Sequence, residues 1–130
     1  MATFIAKITP QDPVMTLVMC LLHSVTNAHI LHFQSTSYSA HVALGSFYSE
    51  IGDLLDEFVE SFQGKYGLLT KYSADFTLPT EPIDYLKYLQ TEVETQRRKS
   101  GFPQDGELQN EIDNIANLIN TTLYKLRFLK

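Results

Sequence analysis

The chain has 130 residues, 44% of them hydrophobic and 19% charged, with a formal net charge of −5. That size and balance describe a single domain over residues 1–130, long enough to bury a core of its own. The negative balance argues against a protein that grips nucleic acid by its phosphates. No unbroken run of eighteen apolar residues occurs, so no membrane span is expected.

The first predicted helix runs from about Asp12 to Gln34. Asp12 is placed to cap it, and Pro13 suits a first helical position. Val14, Leu17, Val18, Leu21, Leu22 and Val25 recur at three- and four-residue steps and form its apolar stripe. The segment VMTLVMCLLHSV reads as a buried helix rather than a signal peptide, because no basic region leads into it. Cys20, the single cysteine, cannot pair within the chain. It reads as a small core residue and fits a reducing cytoplasm, the expected location. His23 lies off the stripe and reads as structural. His29 and His32 extend the stripe at a three-residue step, which lets their side chains converge.

A polar turn, Gln34-Ser35-Thr36-Ser37, precedes a second helix from about Tyr38 to Gln63, and a serine or threonine there is placed to cap it. Leu44, Phe47, Ile51, Leu54, Leu55, Phe58 and Phe62 form its core stripe. A second stripe carries His41, Gly45, Tyr48, Gly52 and Asp56, with Glu60 at its margin. A glycine inside a helix costs roughly 1 kcal/mol against alanine, so two glycines on one face imply close packing, most simply by a partner helix. Gly64 and Gly67 end the helix. The connection from about Lys65 to Glu81 holds Leu68, Leu69, Tyr72, Phe76 and Leu78, too apolar for a free linker. It is expected to pack as an ordered crossover, with room for a short helix. A third helix, near Thr80 to Lys99, puts Ile83, Leu86, Leu89 and Val93 inward. The fourth, about Glu107 to Phe128, turns Leu108, Ile112, Ile115, Ile119, Leu123 and Leu126 inward and carries Lys125 and Arg127 where they suit its dipole. The expectation is an all-α, ferritin-like four-helix bundle with a long crossover between helices 2 and 3.

Chemistry concentrates in one stretch. His29, His32 and His41 fall within thirteen residues; Asp56 follows His41 by fifteen and Glu60 follows Asp56 by four. Imidazole and carboxylate groups are the usual ligands for iron, manganese or zinc. On one helix, His41 and Asp56 lie roughly 22 Å apart, at 1.5 Å per residue. One chain therefore cannot bring them to one ion. Two antiparallel copies about a two-fold axis would set His41 of one against Asp56 and Glu60 of the other, twice over. No phosphate-binding glycine loop or nucleophile motif is present.

The segment from His29 to Glu60 resembles the ferroxidase region of Dps-type miniferritins. That family carries a histidine at the end of its first helix, a second opening the next helix, an acid fifteen residues on and a glutamate four further. His41, Asp56 and Glu60 keep that register. For the first histidine two positions remain open. His29 keeps the twelve-residue distance to His41, while His32, followed by Phe33 and Gln34, matches the local context. The pattern is also similar to short ferritin-like proteins of tailed phages, through His32-Phe33-Gln34, the run SYSAHVALG, the run DEFVE and QGKYG. Where the family carries a further acid, four residues after the second histidine, this chain has Gly45, and it has no tryptophan.

The resemblance implies a metal-binding protein with His29, His32, His41, Asp56 and Glu60 as metal ligands, iron as the expected ion and zinc as the second. It implies a homodimer or larger homo-oligomer, and a host-cell cytoplasm if the chain is phage-encoded. If it is an enzyme, a weak ferroxidase-type oxidoreductase is expected. The alternative is a non-catalytic helical structural or interaction protein that keeps the fold without a working metal centre.

Overall fold

In the computed structural model, which describes residues 12–73 and 77–130, the described residues form four helices. These are α1 (Pro13–Gln34), α2 (Tyr38–Tyr66), α3 (Pro82–Gln96) and α4 (Gly106–Phe128). No strand occurs among the described residues. The caps explain the boundaries. Asp12 Oδ1 accepts from Val14 N at 2.8 Å with Pro13 at the start of α1, and Ser37 Oγ accepts from Ala40 N at 3.3 Å to open α2. Glu81 caps α3 through Asp84 N at 2.8 Å. Helix α2 runs through Gly64 and stops at Gly67, whose φ of 105° lies in the left-handed region that favours glycine. The predicted end at Gln63 is thus about one turn early.

Helix α1 packs on α2 and α3, and α4 packs on the same two, so α1 and α4 face each other across the bundle. Four contacts fix the directions. Gly101, just after α3, lies against the Pro13 ring at the start of α1. Near the other end, the Asn27 amide donates to Tyr85 Oη at 3.0 Å. Tyr66, at the end of α2, donates to Asp105 Oδ1 at 2.6 Å at the start of α4, while Ser39 Oγ donates to Leu129 O at 3.0 Å. Helices α1 and α4 therefore run one way, α2 and α3 the other.

The core is the sum of the inward stripes. Leu17, Leu21, Leu44, Phe47, Ile51, Phe58, Leu86, Leu89, Leu108, Ile112, Ile115 and Ile119 are wholly buried. Each contributes about 1.5–3 kcal/mol by leaving water. Leu54, Phe62, Ile83 and Leu126 are half-buried at its edge.

Two expectations need correction. Leu22 is 41% exposed, because the buried face of α1 turns through Leu21, Ser24 and Ala28 instead. Leu68 (78% exposed), Tyr72 and Leu78 of the connection lie on the surface, and Leu69 alone of this group packs against the core. Phe76 lies outside the described residues, and the described part of the connection forms no helix. Helix α1 is by length and composition alone apolar enough to cross a membrane, a test that the core helix of a soluble protein also passes. Half of that stretch is buried inside the bundle.

Candidate functional site

The polar turn between α1 and α2 brings the last turn of one helix beside the first turn of the next. The final carbonyls of α1 have no partner within their own helix. His41, one turn into α2, supplies one: its Nδ1–H donates to the His32 carbonyl at 2.9 Å. His32 returns the contact, its Nδ1–H donating to the His41 carbonyl at 2.6 Å. The two rings lie face to face, with centroids 3.6 Å apart and planes 19° from parallel. A carbonyl only accepts, so each Nδ1 carries hydrogen, and in each neutral ring the lone pair is on Nε2.

Gly45 makes room for this pair. A Cβ there would stand 3.1 Å from His32 Cε1 and 3.2 Å from His32 Nδ1. The close neighbour inferred from the sequence is therefore an imidazole of the same chain. Gly52 is different: nothing lies within 4 Å of where its Cβ would be.

His29 sits one turn earlier on α1. Its ring stacks on Tyr48 at 3.9 Å and on Phe33 at 4.7 Å, and its centroid is 6.0 Å from that of His32. The structure thus brings His32 and His41 together, with His29 beside them against Tyr48. Asp56 and Glu60 are exposed on successive turns of α2, well down the helix from His41. Among the described residues no three His, Cys, Asp or Glu side chains of one chain are grouped to hold a metal ion.

At the far end of the bundle, Lys65 Nζ bridges Asp105 Oδ2 at 2.6 Å and Glu107 Oε2 at 2.9 Å. The hydrogen bond from Lys65, and then that from Tyr66, hold the Asp105 carboxyl below the usual carboxylate range; Lys65 does the same for Glu107. These partners, Asp105 first, raise the Lys65 ammonium in turn. Sequence reasoning also passed over Asn27, whose buried amide ties α1 to Tyr85 and to the Thr77 carbonyl, the latter at 3.3 Å. The one signal for it was an amide in an otherwise apolar helix.

A protein-family model described as a family of unknown function, DUF5856, matches residues 32–126. The match spans His32, His41, Asp56 and Glu60 and begins after His29. No curated protein and no solved structure matches the chain.

Proposed function

The chain belongs to DUF5856, a family of unknown function, and we propose for it a ferritin-like metal-binding role with a centre completed across a homodimer. In this reading His32 and His41 of one chain supply imidazole Nε2, and Asp56 and Glu60 of the second copy supply anionic oxygen. Such a mixed set suits Fe(II), with Zn(II) as the second candidate. The observation that carries the reading is the reciprocal donation between His32 and His41. An imidazole that gives Nδ1–H to a backbone carbonyl is held in the tautomer and orientation that a metal ligand needs.

The helix directions support the ferritin-like part. Helices α2 and α3 run the same way, which supports a connection from Gly67 to Glu81 that returns along the bundle as a crossover does. The open space at Gly52 and the exposed acids of α2 support a partner helix on that face. Gly45 brings no carboxylate, so the centre holds few anionic oxygens. Metal binding is expected to be weak, and oxidation of Fe(II) by peroxide or dioxygen slow or absent. The net charge of −5 goes with a protein that does not bind nucleic acid, and the lone thiol with a cytoplasmic location.

Anaerobic titration of Fe(II) into the wild type and into an Asp56→Ala, Glu60→Ala double variant tests this directly. The reading expects uptake by the first and little by the second; equal uptake would rule it out. A second reading rests on the same histidines. Their bonds also join α1 to α2, a structural task that needs no ion, and a His32→Ala variant that loses stability in metal-free buffer would show that task on its own.

A further inference from the structure

The face of α1 turned away from α2 lines a cavity of about 490 Å³ against α3. Thr16, Cys20, His23 and Asn27 contribute from α1, and Tyr85, Tyr88 and Glu92 from α3. It shares no side chain with the histidine cluster. Its volume falls in the range of small-molecule sites.

The wall carries buried acceptors and a carboxylate. Asn27, 2% exposed, spends its amide hydrogens on Thr77 O and Tyr85 Oη, while its Oδ1 is buried without a hydrogen-bond partner. Thr16 Oγ1 is likewise buried and unpartnered. Groups left in that state forfeit their hydration; the Asn27 oxygen calls for a donor, and the Thr16 hydroxyl takes a donor or an acceptor. Glu92 adds a carboxylate that accepts from Gln96 Nε2 at a long 3.4 Å. No lysine or arginine lines the cavity, and His23 adds an imidazole to the wall. Burial, and then the Glu92 charge, push the Cys20 thiol up to about 12, so it stays neutral and adds no anion. The Tyr85 and Tyr88 rings stack with centroids 6.2 Å apart and give an aromatic wall. From Thr16 to Asn27 the cavity follows roughly 16 Å of helix at 1.5 Å per residue, so it favours an elongated ligand.

A ligand that satisfies this wall brings N–H donors, a positive charge and a narrow apolar stem. Ammonium pairs with Glu92 and is attracted to tyrosine faces; Asn27, bonded to Tyr85 about 10 Å along α3 from Glu92, faces the stem and not the head. We propose that the cavity between α1 and α3 binds a linear aliphatic amine in its ammonium form, with the charged head toward Glu92 and the stem along Tyr85 and Tyr88.

The probe is n-hexylammonium, compared with hexan-1-ol and hexanoate of similar length. Each is titrated into the full chain by calorimetry and by amide-detected NMR, with the Asn27 side-chain amide as reporter. The proposal expects saturable hexylammonium binding that shifts the Asn27 and Tyr88 signals, and at least tenfold weaker binding of the other two. Glu92→Gln should lose about tenfold in hexylammonium affinity and leave any hexan-1-ol binding unchanged, with its melting curve confirming that it folds. No saturable binding at millimolar hexylammonium, equal binding of the three probes, or no effect of Glu92→Gln in a folded variant would each overturn it.

Discussion

His32 and His41 each donate a ring Nδ1–H to the other's backbone carbonyl, with the two imidazoles stacked 3.6 Å apart. The pair closes the junction of α1 and α2. Each bond contributes about 0.5–1.5 kcal/mol net. The stack belongs to both residues, so it is lost whichever ring is removed. Denaturant unfolding of His32→Ala, His41→Ala and the double variant should therefore be non-additive, with a coupling of about 0.5–1.5 kcal/mol. Strict additivity would show that the rings do not support each other.

Gly45 and Gly64 both lie inside α2, yet their surroundings differ. The open position, Gly64, has nothing within 4 Å of where a methyl would be added, whereas Gly45 is met by the His32 ring at 3.1 Å. Gly64→Ala should stabilise by up to about 1 kcal/mol through helix propensity alone. Gly45→Ala receives the same intrinsic gain but must displace His32, so its net effect should be smaller or negative. NMR should show the His32 and His41 ring signals moving in Gly45→Ala and not in Gly64→Ala. Equal stabilisation with unmoved rings would contradict the close approach.

The bridge at the opposite end gives a pH dependence with a definite sign. Asp105 and Glu107 have folded-state pKa values depressed by Lys65. Their contribution is present above the ordinary carboxylate range and is lost as pH falls through the depressed values. Lys65, raised by the same contacts, holds its contribution below the ordinary lysine range and loses it as pH rises through the raised value. The bridge is therefore complete between these limits, neutral pH included. Lys65→Gln should melt lower than the wild type at neutral pH, and the difference should shrink on acidification. Because Lys65 and Glu107 are exposed, added salt should shrink it too. A difference that persists in strong acid would assign the effect of Lys65 to packing.

Much of the fold was legible because local chemistry and periodicity agree. Asp12 announced one helix start and the serines and threonine of the Gln34–Ser37 turn another, and the stripes through Phe47, Leu86 and Ile112 named the buried faces. The histidine pair was legible only as a cluster. Spacing gave His29 and His32 equal standing; the path of the Gln34–Ser37 turn brings the ring of His32, not His29, onto His41. Gly45 announced a close neighbour but not its identity, since a bare helix face accepts an imidazole or a second helix alike. In the connection, apolar composition was a poor guide to burial: Leu68 and Tyr72 lie outside, while Leu69 N is fixed by Gln63 Oε1 at 3.0 Å. Asn27 escaped notice because its partners lie fifty and more residues away.

The proposed centre takes histidines from one chain and acids from the other, and hybrid dimers test that division most directly. One chain carries His41→Ala, the second carries Asp56→Ala and Glu60→Ala, and different affinity tags allow the mixed dimer to be purified after co-expression. In the mixed dimer one site keeps intact histidines and intact acids, while the other lacks both sets. Anaerobic Fe(II) titration should find one site per mixed dimer and none in either parent homodimer. A mixed dimer that binds no more Fe(II) than its parents, although both chains fold and associate, would contradict a centre shared between chains.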